Sequence, residues 1–422
     1  MKYHVCINMA LCFISLCLIV TPDLFAARID PANDMTYLGA FRLPDEESDH
    51  HQWVYGGYAL AFNSAGDPNG PNDGYPGSLF SAGKDTDENL RKSVSEFSIP
   101  VPVLSSNFEN MHTSYTLQPF KDITQGYFDA TLEGQELKQV RGLCVLDQLE
   151  GQTSSKIYWS IWSAYNVGYE NLPSQGYSNL NYANLNAQGV WKLKDYDSIF
   201  ASGYLFEIPK SWADTYLGGK YLAVGMCREG GGFSRGPVLL AIDTYRYSSI
   251  SPPANNELPT IPLIYYDEDH DTYPDYKRKD EWFAGAWLSN GDKEAVVFLG
   301  TKCMGEVCYG TGDDCGDPCS QYKGYHCYPK EPQMLFYDPE ELKQVALGSK
   351  KPWEVKPYYI QAMSEWIPRY DGCTETQGAA FDRQNGLLYI IEFAADNAKP
   401  LIHVFKVGQE SKPAAPKNLR IQ

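Results

Sequence analysis

Residues 377–382 read Gln-Gly-Ala-Ala-Phe-Asp, and two apolar runs follow them, Leu-Leu-Tyr-Ile-Ile-Glu at 387–392 and Leu-Ile-His-Val-Phe-Lys-Val at 401–407. β-Branched, aromatic and other apolar residues dominate both runs, which is typical of strands. The stretch therefore predicts three short strands joined by turns, the first of which begins with glycine and small side chains.

The same phrase recurs along the chain. Five glycines open it, each followed by small and apolar residues: Gly57, Gly142, Gly236, Gly285 and Gly378. Glycine suits the innermost strands of a radial array, because these strands converge on a narrow axis where larger side chains would collide. We therefore predict an all-β protein of β-propeller architecture over residues 30–408.

The number of blades follows less directly from the repeat. One spacing between consecutive glycines is 49 residues, which matches a single blade, while the others are 85 residues or longer. A long spacing holds either two blades or one blade with an insertion. We predict six blades and leave five or seven open. In this scheme Gly236 begins an inner strand, and residues 203–209 form a third strand.

A short apolar and aromatic run at residues 36–43 precedes the first glycine phrase. We interpret this run as a strand that closes the ring by pairing into the last blade, which removes a free sheet edge. An edge strand of the first blade is the alternative, because strand propensity does not specify which neighbour a strand pairs with.

Both ends of the chain differ from the repeat region. Lys2 precedes an apolar stretch at residues 5–20, and Ala26 and Ala27 follow it. This pattern predicts a signal peptide over residues 1–26, with an uncleaved N-terminal anchor as the alternative. No later segment is apolar enough for a membrane span. The sequence thus predicts a secreted or periplasmic protein, whose tail at 409–422 resembles the start of a fibronectin type III module.

The charge and the aromatic content bear on the class of partner. A formal net charge of -18 at pH 7 disfavours nucleic acid, which binds to basic surfaces. A small molecule, a glycan or another protein is the expected partner. The chain contains 31 Tyr and 9 Trp, and exposed rings of this kind suit stacking against sugars, although most of them must fill the space between blades.

Eight of the 11 cysteines lie beyond the predicted signal peptide. Five of them are clustered and three lie elsewhere: Cys303, Cys308, Cys315, Cys319 and Cys327, and then Cys144, Cys227 and Cys373. An even number of cysteines in an exported protein predicts disulfide bonds. The cluster must either use an outside partner or leave one thiol free. Zinc is disfavoured, because the cluster lacks the paired two-residue spacing of zinc sites.

The last blade, at residues 377–392, resembles a phrase of secreted bacterial β-propeller proteins, including gluconolactonase-like and phytase-like enzymes. The resemblance is generic and covers only this phrase, so it implies export and a propeller but no particular family. One departure puts the activity in doubt. Those lactonases carry an acidic residue immediately before the glycine, and Gln377 occupies that position here.

Polar residues precede the predicted inner strands, where they would line one mouth of the central channel. The candidate ligand-binding residues are His51, Arg141, Arg235, Glu281, Trp282, Glu375 and Gln377. Loops from every blade converge at such a mouth. Forked guanidinium groups there suit a polar or anionic small molecule, and carboxylates suit a base or a metal ligand. The alternative is that arginines and glutamates pair with each other and plug the channel.

Other segments offer weaker candidate sites. Acidic loops at residues 67–74 and 267–271 have oxygen ligands for calcium, but Thr272 and Arg278 break the EF-hand pattern of the second loop. No cofactor is firmly implied, and calcium stays open. Residues 166–200 are rich in Asn, Tyr, Gly and Ser, which predicts a long surface loop.

Two functional hypotheses follow. The first is an exported ligand-binding or interaction propeller that recognises a carbohydrate or a surface partner at the channel mouth and at the 166–200 loop. The second is a hydrolase or lyase at the same mouth, with a divalent metal held by Glu281 and Glu375. The sequence itself identifies no reaction, since it contains no Gly-x-Ser-x-Gly nucleophile elbow.

Overall fold

The computed structural model describes residues 1, 27–45, 52–68, 70, 74–84, 92–127, 138–149, 152–163, 171–228, 235–244, 257–267, 269–270 and 273–408. Strands of these residues form a ring of five blades, each built on four antiparallel strands that are arranged one after another from the channel outwards. The prediction of an all-β propeller is confirmed, and its blade number is five, one of the counts left open beside six. The predicted signal peptide, apart from Met1, and the tail at 409–422 lie outside the described residues.

Two strands precede the first blade, β1 (Ala27–Arg28) and β2 (Met35–Arg42), with a single helical turn at Pro31–Asp34 between them. Asp30 caps this turn, since its side chain accepts from the N–H of Ala32.

The first three blades are built in chain order from the inner strand outwards. Blade 1 contains β3 (Leu60–Asn63), β4 (Ser78–Ala82), β5 (Ser93–Ser98) and β6 (Thr116–Asp122). Blade 2 contains β7 (Lys138–Leu146), β8 (Lys156–Ser163), β9 (Gln175–Asn179) and β10 (Gln188–Leu193), and the short β14 (Glu257–Leu258) joins its edge. Blade 3 contains β11 (Tyr204–Glu207), β12 (Leu222–Gly225), β13 (Leu239–Ile242) and β15 (Thr260–Ile264).

Blade 4 carries the cysteine cluster, and blade 5 completes the ring. Blade 4 contains β16 (Glu281–Asn290), β17 (Lys293–Cys303), β20 (Lys330–Tyr337) and β21 (Tyr359–Ala362). A small hairpin of β18 (Cys308–Gly310) and β19 (Gly324–His326) is inserted after β17. Blade 5 contains β22 (Thr376–Asp382), β23 (Leu387–Asp396), β24 (Lys399–Val407) and β2. Helical segments lie in the connections, at Phe108–Asn110, Tyr182–Asn184, Phe200–Ser202, Lys210–Tyr216, Gly312–Cys315, Pro339–Ala346 and Pro352–Glu354.

The N-terminal strand closes the ring, as the sequence predicted. β2 pairs antiparallel with β24 from Met35 opposite Val407 to Arg42 opposite Leu401. A buried polar chain crosses this junction, because His403 contacts the hydroxyl of Tyr37 at 2.9 Å and the carboxylate of Glu392 at 2.8 Å. The last blade therefore combines strands from both ends of the described chain, and β2 covers the edge that β24 would otherwise expose.

The inner strands explain the recurring glycines. Neighbouring inner strands contact each other all round the ring, in the order β3, β7, β11, β16 and β22. A Cβ atom on Gly142 would collide with Leu205 of β11, and one on Gly378 would collide with the backbone of Ala59 and Leu60. Glycine thus permits close approach of adjacent inner strands, as predicted.

The assignment of blade 3 from the sequence was wrong. Gly236 precedes β13, which is the third strand of its blade, and residues 204–207, predicted as a third strand, form the inner strand β11. The error has a steric cause. In this blade a glycine that makes room for the inner strand, Gly225, lies on the second strand, where a Cβ atom would collide with Tyr204 of the inner strand.

The predicted surface loop at 166–200 is also wrong over its described part. Residues 175–179 and 188–193 are the two outer strands of blade 2, paired antiparallel with each other. Trp191 is fully buried and stacks on Tyr177 at a ring-centroid distance of 6.0 Å. Asn, Tyr and Gly are common in loops, but here apolar residues alternate with them and anchor the strands.

Large apolar side chains fill the space between blades. Trp159, Trp287 and Tyr204 are almost fully buried and belong to extended clusters that join adjacent sheets. Burying one such side chain stabilises a fold by roughly 1.5–3 kcal/mol. Within the residues described, no helix has both the length and the apolar character to cross a membrane.

Three disulfide bonds fasten residues 303–330, the segment that we call the cysteine cap. The bonds are Cys303–Cys327, Cys308–Cys315 and Cys319–Cys373. The outside partner that the odd count required is Cys373. The prediction of disulfide bonds is confirmed for these six residues but wrong for Cys144 and Cys227, which are free and buried. Cys144 lies on β7 and Cys227 lies two residues after β12, both apart from the cap.

Candidate functional site

Side chains from several blades meet where the inner strands begin, at one end of the channel. We call this cluster the Arg141 mouth. Its members are Tyr58, Gln139, Arg141, Trp162, Cys227, Arg228, Lys279, Glu281, Phe283, Lys330, Glu375 and Gln377. Gln139 and Arg141 lie near the start of β7, Glu281 begins β16, and Gln377 is the second residue of β22. The propeller topology thus brings distant parts of the sequence together at this end.

Arg141 lies at the centre of the mouth, and only 8% of its surface is exposed. Its Nη1 donates to Oε1 of Gln377 at 2.9 Å. With the Gln139 amide oxygen oriented towards the guanidinium, that oxygen accepts from Nε at 2.7 Å and from Nη2 at 2.8 Å. Both partners are neutral amides. Among the described residues, no carboxylate pairs with this buried positive charge.

Aromatic rings enclose the same guanidinium group. The Arg141 Cζ lies 4.3 Å from the ring centroid of Tyr58, 4.8 Å from that of Trp162 and 5.5 Å from that of Phe283. Cation–π attraction offsets part of the cost of removing the charge from water. The Nε1–H of Trp162 is itself buried, and it has no hydrogen-bond partner in the described part of the chain. The mouth therefore holds an unused buried donor next to a buried cation.

The two carboxylates of the mouth are paired with lysines. Lys279 Nζ lies 2.7 Å from Glu281 Oε2, and Lys330 Nζ lies 2.6 Å from Glu375 Oε1. Burial alone raises the pKa of Glu281, but the charges of Lys279, Lys330 and Arg228 outweigh burial and lower the pKa to about 2. Glu281 is therefore ionised at neutral pH. The alternative that arginines and glutamates at the mouth pair with opposite charges thus holds for the two carboxylates, which pair with lysines, but it does not hold for Arg141.

Counted over the described residues, the mouth carries more positive than negative charge. Its cationic side chains are Arg141, Arg228, Lys279 and Lys330, and its carboxylates are Glu281 and Glu375. This local excess contrasts with the formal net charge of -18 for the whole chain. An anionic group is attracted to such a site even though the protein as a whole is acidic.

The thiol of Cys227 packs against Trp162 and Phe283 in the mouth. Burial raises its pKa to about 11, although Arg141 and Arg228 counteract part of that rise. The thiol is therefore protonated at neutral pH, whereas nucleophilic cysteines react as thiolates. This residue contributes packing rather than a nucleophile.

The structure brings together four of the residues proposed from the sequence: Arg141, Glu281, Glu375 and Gln377. No contact joins Arg235 to the described members of the mouth; it precedes the third strand of blade 3, where its N–H donates to the carbonyl of Tyr266 at 2.7 Å. Trp282 faces away from the mouth and packs edge-on against Tyr273 at 5.3 Å in the core, since side chains alternate along β16. His51 lies outside the described residues.

Sequence reasoning missed several members of the mouth. Tyr58 stands inside the first glycine phrase, and Phe283 follows Trp282 by one position, so alternation along the strand could have identified both residues. Trp162 lies opposite Gln139 in the pairing of β7 with β8. Lys330 begins β20 after the cysteine cap, and no pattern in the sequence signals its contact with Glu375.

The opposite end of the channel, which we call the Arg383 end, has different chemistry. Arg383 donates from Nη2 to Glu207 at 3.1 Å and from Nη1 to the hydroxyl of Ser289 at 3.0 Å. A cavity of about 50 Å³ lies at this end and is lined by residues of all five inner strands. That volume has room for a few water molecules.

Metal ligands do not converge in the described part of the chain. No group of three or more His, Cys, Asp or Glu side chains there is arranged to hold a metal ion. Asp67 accepts from the hydroxyl of Tyr115 at 2.8 Å, and Asp267 contacts His270 at 2.7 Å. Parts of both acidic loops lie outside the described residues, so calcium binding there stays a prediction.

Comparisons with known proteins give no family. No family model matches the chain, and no curated protein matches it. A solved structure titled mitotic checkpoint complex is similar at 12% identity with a TM-score of 0.29, covering 97% of this chain and 98% of the other. A putative phosphatase from Bacteroides thetaiotaomicron VPI-5482 is similar at 11% identity with a TM-score of 0.36, covering 89% and 79%. At these TM-scores neither likeness supports a functional conclusion, so the site itself must supply one.

Proposed function

We propose that this chain is an exported ligand-binding propeller whose Arg141 mouth binds the carboxylate group of a small molecule or glycan. One observation carries the proposal: Arg141 is buried with neutral partners only among the described residues. Removing a charge from water costs several kcal/mol unless a partner compensates. A ligand that supplies the missing negative charge explains why a cation is kept at this position.

The donors that remain at the mouth match a carboxylate. The hydrogen bonds to Gln139 and Gln377 use three of the five N–H groups of Arg141. One N–H is left on each terminal nitrogen, and a guanidinium fork of this kind binds both oxygens of one carboxylate. The buried Nε1–H of Trp162 is a further donor beside it. A neutral hydroxyl would satisfy these donors but would leave the charge unpaired.

A carbohydrate as the carrier of that carboxylate is suggested by the aromatic content of the chain, 31 Tyr and 9 Trp, since exposed rings stack on the C–H faces of sugars. Tyr58 and Trp162 themselves are buried against the guanidinium. The three disulfide bonds are typical of proteins in oxidising compartments. Together these features support an exported protein that binds an acidic sugar.

The second hypothesis, a hydrolase or lyase at the same mouth, has less support. Glu281 is held ionised by Lys279, Lys330 and Arg228, whereas a general acid must carry a proton at the working pH. A metal at Glu281 and Glu375 would compete with the two lysines that already contact these carboxylates. We therefore favour binding over catalysis.

Calorimetric titration of the purified protein tests the proposal. The probes are glucuronate, galacturonate, N-acetylneuraminate and citrate, with glucose as the neutral control. We expect at least one carboxylate to bind and glucose not to bind. Arg141→Gln should weaken binding by roughly 10- to 100-fold, because a hydrogen bond to a charged group contributes about 1.5–3 kcal/mol.

Arg383→Gln is the matched control, since it removes an arginine from the other end of the channel. This variant should bind the same carboxylate as tightly as the natural chain. The proposal is wrong if none of the four carboxylates binds, or if Arg141→Gln binds as well as the natural chain does.

A further inference from the structure

We infer that the exposed tyrosines of the cysteine cap form a stacking platform for sugar rings beside the Arg141 mouth. The ligand is then an acidic oligosaccharide, with one carboxylate at Arg141 and neighbouring sugar rings on the cap. This inference rests on the proposed function and names the ligand class of the same site.

The cap exposes an unusual amount of aromatic surface. The exposed tyrosines are Tyr309, Tyr322, Tyr325 and Tyr328. Tyr322 is 84% exposed and Tyr309 is 63% exposed. Tyr309 and Tyr325 lie opposite each other on β18 and β19, with ring centroids 5.0 Å apart. Rings placed in this way are open to a ligand from the solvent side.

Covalent and polar contacts hold the platform rigid. Three disulfide bonds fasten the cap within 303–373. Arg278 donates from Nη1 to the hydroxyl of Tyr325 at 2.8 Å and lies 5.2 Å from its ring centroid. Rigid tyrosines lose little conformational entropy on binding, so an ordered cap is well suited to hold a ligand.

The platform is fixed next to the mouth by a short turn. Lys277 Nζ donates to the carbonyl of Gly305 in the cap at 2.6 Å, and Arg278 contacts Tyr325. The next residue, Lys279, pairs with Glu281 of the mouth. Because consecutive Cα atoms are about 3.8 Å apart, the Cα atoms of Arg278 and Glu281 lie at most about 11 Å apart.

A second link joins the cap to the mouth from the other side. The Cys319–Cys373 bond attaches the cap to the segment before β22. Two residues after Cys373, the carboxylate of Glu375 contacts Lys330, which ends the cap. Both links place the base of the cap, from which the tyrosine-bearing hairpin extends, beside the cationic cluster.

The chemistry of the surface selects an acidic oligosaccharide as the occupant. The exposed side chains are tyrosines, which combine an aromatic face with a hydroxyl group that hydrogen-bonds to sugar hydroxyls. Among the described residues, the adjoining mouth has four cationic side chains against two carboxylates, which complements a uronate group there. The cap itself contains four carboxylates and two lysines, so it holds the neighbouring sugar rings by stacking and not by charge. A neutral glycan would use the rings alone and would leave Arg141 without an anion.

The test compares affinities for short and long acidic sugars. The probes are tetrasaccharides of polygalacturonate, alginate and hyaluronan, together with the corresponding monouronates and neutral cellotetraose. We expect at least one acidic tetrasaccharide to bind tenfold or more tightly than its monouronate. The double variant Tyr309→Ala/Tyr322→Ala should lose roughly 5- to 100-fold in affinity for that tetrasaccharide, since each aromatic contact contributes about 0.5–1.5 kcal/mol.

The same variant should bind the monouronate unchanged, because that ligand reaches only Arg141. Tyr115→Ala is the matched control, as it removes a tyrosine that is 45% exposed on blade 1. Its affinity for the tetrasaccharide should equal that of the natural chain. Thermal unfolding of each variant checks that the protein is still folded. We expect no change in the unfolding temperature, because both cap tyrosines are exposed.

The outcomes separate the two proposals. If Arg141→Gln weakens monouronate binding but the cap variant binds the tetrasaccharide normally, the platform is wrong and the mouth remains. The platform is equally wrong if tetrasaccharides bind no more tightly than monouronates, or if cellotetraose binds as tightly as the acidic chains. If the natural chain binds none of the monouronates, the proposed function itself is wrong.

Discussion

The two ends of the channel each carry an arginine on an inner strand or at its end, yet the two residues are held differently. Arg141 is buried, bonded to neutral amides and enclosed by aromatic rings. Arg383 is partly exposed and pairs with the carboxylate of Glu207. Among the described residues, therefore, the charge of Arg141 has no carboxylate partner, whereas the charge of Arg383 has one.

The difference shows how to separate a binding end from a structural end in a ring of repeated blades. Charged residues at channel mouths are common, and most of them pair with each other at little net gain. A buried cation with only neutral partners is costly, and it persists only where something else depends on it. The asymmetry between the ends therefore favours the Arg141 mouth as the site.

The largest expected effect comes from removing the buried lysine under the mouth. Lys330 is almost fully buried between Glu375 and Glu281. Lys330→Met leaves these carboxylates without that cation, so we expect the free energy of unfolding to fall by about 3–5 kcal/mol. Urea unfolding at pH 7 measures the change. A loss below about 1 kcal/mol would show that the mouth is no more charge-dependent than the other end.

Acid should weaken the same end through Glu281, whose pKa is lowered to about 2. A carboxyl group with a folded-state pKa below its unfolded value stabilises the protein above the unfolded value. That contribution is lost as the pH falls through the folded pKa. We expect Glu281→Gln to be least stable relative to the natural chain near pH 6, with the difference shrinking between pH 4.5 and pH 2.

Thermal unfolding of both proteins over this pH range measures the effect. Glu207→Gln is the control at the Arg383 end, where the carboxylate is 40% exposed. Its difference from the natural chain should be small at every pH, because water screens an exposed pair. A constant difference for Glu281→Gln across the range would contradict the role given to the mouth cations.

The sequence predicted the propeller because steric crowding at the axis selects glycine at fixed places. Gly142 and Gly378 illustrate this, since each faces the next inner strand at close range. Blade 3 does not follow this pattern. There the bulky Tyr204 occupies the inner strand, and Gly225 on the neighbouring strand makes room for it. The positions of glycines in the sequence show where two strands lie close together, but they do not show which of the two is the inner strand.

Part of the site could also be predicted, for a related reason. Arg141, Glu281 and Gln377 lie at the starts of inner strands, and strand order alone brings such positions together. Trp162 and Lys330 come from the second and third strands of their blades. Their contacts depend on register and on the path of the cysteine cap, which local pattern does not determine.

The smallest expected effect is at the Arg383 end, and it completes the comparison. Arg383 and Glu207 are 32% and 40% exposed at their side chains. Since exposed pairs contribute about 0–1 kcal/mol, the double variant Arg383→Met/Glu207→Gln should change the free energy of unfolding by no more than that amount, as measured in urea. Its affinity for a bound uronate should equal that of the natural chain, because the mouth lies at the other end of the channel. A large loss of stability or affinity in this variant would mean that the two ends act together, and the distinction between a binding end and a structural end would no longer hold.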